Sequence, residues 1–266
     1  MKTINLSISA HSKKGIRAIN EDFYMYEKNS TGQLLAVVCD GIGGDDDSQV
    51  ASKAVVSRFR DAFLAKKKIT NFSKFYNKVL IDSTKIINKK TLKGSKMGTT
   101  VCALLITGDV VESANIGDSR IYYYNYQNNL WKQTSWDHNL YNFLRAKYQK
   151  QREMHPAWIT QINEEEKKAL EANKNSLIAL TKCIETGIKI KKDDSWYKTI
   201  ENIKADDLFY ICSDGVYHWI KNDRINAIIG ETENFSDVAK KVVEEAIANK
   251  SNDNLTAIII KVNANK

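Results

Sequence analysis

The sequence predicts an α+β layered sandwich, built as one domain over residues 1–266. Three observations carry that expectation. Short apolar runs of strand type open and close the chain; two amphipathic helical stretches follow the run at 34–39; further helical periodicity precedes the last run. A βαβ repeat would instead alternate the two element types along its length.

Taken in order, Ile4, Leu6 and Ile8 alternate with Asn5, Ser7 and Ser9, the period of a strand with one buried face. FYMY (23–26) is a short strand behind the acidic pair Glu21-Asp22, and LLAVVC (34–39) is a core strand. Over 48–66, Ala51, Val55, Phe59 and Phe63 recur on one helical face, and over 72–90 Phe72, Phe75, Tyr76, Val79 and Ile86 repeat the pattern. TVCALLIT (100–107) is a second core strand. VVESANIG, RIYYYNY and LWKQTS follow it, separated by Gly-Asp and Gln-Asn-Asn, and predict an antiparallel meander. Residues 138–178 hold Leu140, Phe143 and Leu144 at helical spacing and then a charged run through Glu164 to Lys168. They exceed an ordinary connection and predict a flap over the surface, not a second domain. LFYIC (208–212) and LTAIIIKV (255–262) are the last core strands, with a helix over 236–248 that starts at a Ser236 cap.

Composition narrows the function classes. With 42% hydrophobic and 27% charged residues, one proline and 12 glycines, the chain has a globular balance and excludes collagen-like or linker-rich architectures. No run approaches the roughly 18 apolar residues of a membrane span, and no secretory leader is evident. Cys39, Cys102, Cys183 and Cys212 lack paired spacing, so a reduced, cytoplasmic protein is expected. The net charge of +8 is local: residues 58–96 hold twelve Lys/Arg against Asp61 and Asp82. Those cations lie on amphipathic helices without interleaved exposed aromatics, which favours a solvated face or an acidic partner over nucleic acid.

The chemistry is signalled by a repeated local pattern, an apolar run ending in aspartate beside glycine. VCDGIGG (38–44), NIGDSR (115–120) and CSDG (212–215) carry it, and SNDN (251–254) precedes the last strand. One Asp-Gly is most often only a turn. Several carboxylates aimed from strand ends supply the hard oxygen ligands of Mg²⁺ or Mn²⁺, whereas zinc-type Cys/His spacing is missing. Arg17, four residues before Glu21, is the side-chain type best suited to grip phosphate.

These pieces, with GIRAINED (15–22), MGTT (97–100), WDHNL (136–140), LTKCIETG (180–187) and DNLT (253–256), occur in the order of a known family. The chain resembles the metal-dependent protein serine/threonine phosphatases of the protein phosphatase 2C type, in a bacterial-style minimal form. The resemblance implies a four-layer αββα sandwich of two antiparallel sheets flanked by helices, with two Mn²⁺ or Mg²⁺ ions at one edge and a third, weaker ion. It implies that Asp40 bridges the pair, Glu21 and the Gly41 carbonyl complete one ion, and Asp214 and Asp253 hold the other. Asp118 with Asp214 would hold the third, Asp22 would orient metal-bound water, and Arg17 would bind the substrate phosphate. Asn254 would support the metal-edge loop, with Ser119 and Arg120 structural. Ile42 stands where eukaryotic members carry a histidine proposed as general acid, Asp45-Asp46-Asp47 replace small residues, and His218 stands where some members carry an aspartate. The implied activity is hydrolysis of phosphoserine and phosphothreonine in proteins, opposing a cognate Ser/Thr kinase, by a monomer. The competing reading is a weak or inactive phosphatase-fold scaffold that acts by binding proteins.

Overall fold

The apolar runs sort into two five-stranded antiparallel sheets. The computed structural model describes residues 4–43, 47–91, 96–149 and 164–264. One sheet has the order β1 (Leu6–Lys13), β13 (Leu255–Val262), β12 (Leu208–Cys212), β8 (Arg120–Asn125), β9 (Leu130–Gln133). The other runs β11 (Trp196–Glu201), β7 (Val110–Ile116), β6 (Val101–Thr107), β3 (Leu34–Cys39), β2 (Phe23–Lys28).

β3 is buried on both faces because its alternate side chains serve two cores. Leu34, Ala36 and Val38 join Phe209, Ile211, Ile258 and Ile260 between the sheets. Leu35, Val37 and Cys39 face α1 (Asp47–Leu64) and α2 (Phe72–Lys90). On the far side Tyr210, Cys212, Ala257 and Ile259 pack under α6 (Asn222–Gly230) and α7 (Val238–Ala248). The layers are therefore helix, sheet, sheet, helix, as expected. In α1 the stripe Ala51, Val55, Phe59 and Phe63 is wholly buried. Asn71 caps α2 by accepting from the Lys74 amide at 2.8 Å, and Ile87, not Ile86, completes its inner face.

Three expectations need correction. The meander is split between the sheets: β7 pairs with β6 and β11, whereas β8 pairs with β9 and β12. The chain changes sheets at Gly117–Ser119, where Gly117 takes φ +109° and a Cβ would stand 2.5 Å from Thr100 Cβ. The late helix begins at Val238 with Asp237 at its cap; Ser236 lies in a 3-10 turn whose opening Asn234 side chain accepts from the Ser236 amide. Ser236 instead gives its carbonyl to Ser9 Oγ, which ties α7 to β1. Third, a small sheet of β10 (Ile184–Glu185), β5 (Gly98–Thr99) and β4 (Gly41–Ile42) joins MGTT to the Asp40 loop. Its strands are too short for periodicity to reveal.

The 138–178 segment contributes α3 (Leu140–Gln149) and α4 (Glu164–Ala172), which pack together through an ion pair between Arg145 and Glu166, 2% and 0% exposed. Its base is fastened by Leu140 and Tyr141 amides to the Ala179 and Leu177 carbonyls.

Candidate active site

Strand register delivers the acidic residues to one edge. Phe23 lies opposite Cys39, Cys212 opposite both Ala257 and Arg120, and Lys13 opposite Leu255. The residues one or two positions beyond those pairs, Asp22, Asp40, Asp118, Asp214 and Asp253, are thereby gathered from both sheets.

Hydrogen bonds across the sandwich fix the loops. Ser213 Oγ donates to Asp22 Oδ2 at 2.7 Å and accepts from the Thr256 amide at 3.0 Å. The Asp40 amide donates to Thr100 Oγ1 at 3.1 Å, and its carbonyl accepts from the Thr100 amide and the Thr99 hydroxyl. Thr100 Oγ1 also meets Ser119 Oγ at 2.7 Å, so the Asp40 and Asp118 loops share one support. Glu21 is anchored through its backbone: its amide donates to Asn254 Oδ1, and its carbonyl accepts from the Gly41 amide and Ser52 Oγ. Asn254 Nδ2 donates to the Lys14 and Ile19 carbonyls and closes the loop that holds Arg17. Asp214 opens α5 (Asp214–Tyr217), where a Cβ on Gly215 would lie 2.0 Å from the Asn254 carbonyl oxygen. Only glycine lets these two loops touch.

The electrostatics are those of like charges held together. Burial raises the Asp40 carboxyl well above its ordinary range, and Asp22, Asp214, Asp118 and Asp253 push it further. Burial, reduced by the Ser213 hydrogen bond and increased by Asp214 and Asp253, takes Asp22 to about 7; burial with Asp214 and Asp137 takes Asp118 to about 7. Asp214 is raised by burial and Asp253 and eased by His218, which is exposed one turn along. Glu21 is raised by burial and Asp253 against the pull of Arg17. Arg17 lies at the exposed rim, with Nη2 2.9 Å from Asp253 Oδ2 and Nε 3.0 Å from the Asn252 carbonyl.

The donor set suits a hard divalent cation. It is all oxygen, and Asp22 Oδ1 is buried without a hydrogen-bond partner. Among the described residues no three carboxylate, imidazole or thiol groups stand close enough to hold an ion as they are. An ion held here would need these side chains to rearrange, Asp253 away from Arg17 among them. Cys39 and Cys212 are buried beside the aspartates, and burial raises both thiols, Cys212 to about 12, so neither is a nucleophile at neutral pH. Ile42 is in β4 opposite Gly98 and offers no proton. Asp45 and Asp46 lie outside the described residues.

The Arg120 guanidinium grips Asp137 at 2.7–3.1 Å and lies 3.7 Å over the Tyr217 ring. Sequence reasoning missed Ser213 and Thr100, although both sit inside quoted motifs, and it missed Gln49, whose side-chain amide donates to the Asn20 carbonyl at 3.1 Å. Gln49 carries no sequence signal, because its partner is a backbone atom.

Comparison with known proteins makes the class definite. The family model described as Protein phosphatase 2C matches residues 9–259, so the chain belongs to that family of protein-serine/threonine phosphatases. A Mycoplasma genitalium chain whose name assigns it provisionally to the protein phosphatases is 29% identical over 263 residues, covering 94% of this chain and 93% of its own. The serine/threonine phosphatase stp of Listeria welshimeri is 24% identical over 255 residues, covering 93% and 92%. Among solved structures, the Staphylococcus aureus serine/threonine phosphatase Stp1 superposes with a TM-score of 0.74 at 25% identity over 99% of this chain and 98% of its own. The S. agalactiae serine/threonine phosphatase reaches a TM-score of 0.79 at 22% identity over 97% and 100%, and shares the fold. Among the described residues no helix is long and apolar enough to cross a membrane.

Proposed function

We propose that the chain is a metal-dependent hydrolase of phosphoserine and phosphothreonine in proteins and opposes a Ser/Thr kinase. One observation carries this reading: Asp40 is held among four other aspartates that all raise it, with Arg17 at the rim and the half-buried Arg120, beside Asp118, committed to Asp137. Two divalent ions, Mn²⁺ or Mg²⁺, would balance these aspartates, and the crystallised catalytic domain of the phosphatase PstP was a complex with two manganese ions.

In this reading Asp40 would serve both ions, Glu21 and the Gly41 carbonyl would help hold one, Asp214 and Asp253 would hold the other, and Asp118 with Asp214 would serve a third, weaker site. When bound, the ions polarise the phosphoryl oxygens and lower the pKa of water. Asp22 directs the attacking water through Oδ1, with Oδ2 kept by the Ser213 hydroxyl. Arg17 receives the phosphate from its exposed rim position and exchanges Asp253 for substrate oxygen. The chain would act as one catalytic domain and as a monomer, with α3 and α4 of the 138–178 segment as a flap beside the site; residues 150–163 lie outside the described residues. A binding-only scaffold is the weaker reading, because every carboxylate required for ligation is present. The test is phosphate release from a phosphothreonine peptide: EDTA abolishes it and Mn²⁺ restores it. Full activity after exhaustive demetallation would sink the proposal.

A further inference from the structure

The basic face of α1 and α2 contains a groove that the catalytic reading does not use. Two open hollows of about 430 and 470 Å³ lie end to end between the helices, both bordered by Arg58. The groove starts at Gln49, whose amide bonds the Asn20 carbonyl beside Glu21, and it ends at the Thr70-Asn71 turn. From Gln49 to Leu64 the helix rises about 22 Å, the length of about seven residues of extended chain.

The floor mixes small and apolar side chains and the walls are cationic. Ala54, Ser57, Ala62 and Ala65 line the groove together with Ile69, Phe75, Val79 and Ile86. Lys53, Arg58, Lys66, Lys74, Lys78 and Lys90 line it, against Asp61 as the one carboxylate among the lining residues. Arg58 is committed to Asp82 at 2.7 Å, but Lys66, Lys74 and Lys90 make no ion pair among the described residues. These lysines are exposed, and the groove shows no exposed aromatic on which a base could stack, which separates it from a single-strand nucleic-acid site.

We infer that this groove docks an acidic, extended polypeptide segment of the phosphoprotein substrate, so that the enzyme prefers phosphorylated residues flanked at a distance by Asp/Glu-rich sequence. The proposal rests on the phosphatase reading and adds the substrate class. Attraction between exposed charges of this kind acts through KM and fades with salt.

The experiment uses the full chain with Mn²⁺ and two phosphothreonine peptides of equal length, one carrying a distal run of five Glu and the other five Ser in the same place. Binding of the fluorescent, unphosphorylated Glu-run peptide is measured in parallel by anisotropy. The wild type is expected to favour the Glu-run peptide about fivefold to tenfold in kcat/KM at low salt. Lys53→Gln/Lys74→Gln/Lys78→Gln, which keeps helix propensity, abolishes that preference and the anisotropy signal while aryl phosphate hydrolysis is unchanged. Equal kcat/KM on both peptides in the wild type, or a preference that survives the triple variant, overturns docking and leaves the phosphatase reading intact. Binding without any phosphate release supports docking and removes the phosphatase reading instead. Tighter binding of a single-stranded oligonucleotide of equal charge overturns the polypeptide assignment.

Discussion

Asp40 and Asp214 each offer carboxylate oxygens to the shared edge yet contribute little packing, so their amides test ligation separately from folding. Asp40→Asn and Asp214→Asn are expected to lose nearly all turnover while keeping the wild-type circular dichroism and a cooperative melt. Wild-type turnover in either variant removes that residue from the site. Arg17→Ala should act chiefly on KM, because Arg17 is exposed and, in the proposed role, would meet the phosphate before and during reaction alike. An unchanged KM removes it from substrate binding. His138 supplies a different residue-scale test. Its Nδ1 is 3.1 Å from the Gly117 amide, where a neutral ring accepts, and burial with Lys182 nearby lowers its pKa to about 4 despite the Gly117 carbonyl, Asp137 and Asp194. The unfolded chain binds that proton near pH 6.5, so this contribution is whole above about 6.5 and lost as pH falls toward 4. Urea melts in EDTA at pH 7.5 and 5.0 should show a loss of about 2 kcal/mol in the wild type beyond that in His138→Gln. Parallel pH dependences would refute the assignment. At this scale the aspartates were legible because each borders an apolar run. Ser213 as the partner of Asp22 was not, since the contact spans 191 positions.

At the scale of elements, periodicity located what is long and one-faced and failed where burial is partial. The α1 and α2 stripes were readable from Phe59, Phe63 and Phe72. β11 escaped because WYKTIE is an edge strand with no fully buried residue. The split meander escaped for another reason: the turn at Gly117-Asp118 looks the same whether the next strand pairs with the last one or crosses to the opposite sheet. The flap was visible as excess length, yet its fastening was not. His138 and Asn142, which donates to the Asp137 carbonyl, attach the start of α3 to the crossover that carries Asp118. The buried Arg145–Glu166 pair then sets α4 against α3. Removing one member of such a pair costs about 3–5 kcal/mol locally, because the other charge stays buried. Glu166→Ala is therefore predicted to loosen this hairpin, seen as faster amide exchange over 140–149 and 164–172. It should change kcat/KM on a phosphoprotein and spare a small aryl phosphate. Equal losses on both substrates, with metal affinity unchanged, would show that the hairpin helps build the catalytic centre. The trimming that sequence length alone suggests, Gln149 to Glu164, falls mainly outside the described residues.

Over the whole molecule, the two sheets are joined by a core of Leu34, Val38, Phe209, Ile211, Ile258 and Ile260 and carry, at one edge, carboxyls that oppose one another's ionisation. A buried carboxyl that its neighbours raise makes the folded state less favourable at every pH where the unfolded chain has it ionised. The metal-free protein therefore carries a destabilising edge, and ions that bind only the folded state remove that burden while adding their own binding energy. At a hundredfold excess over Kd, Mn²⁺ should raise the melting temperature by about 5–10 °C. Asp40→Asn deletes the carboxyl whose ionisation the other four oppose. In EDTA this variant is expected to melt above the wild type, and in Mn²⁺ below it, because the relief is permanent but the bridging ligand is gone. Scanning calorimetry of both proteins under both conditions decides the matter without reference to turnover. If Asp40→Asn is no more stable than the wild type in EDTA, the carboxylates do not strain the fold; if it keeps the full Mn²⁺ shift, Asp40 does not join the two ions.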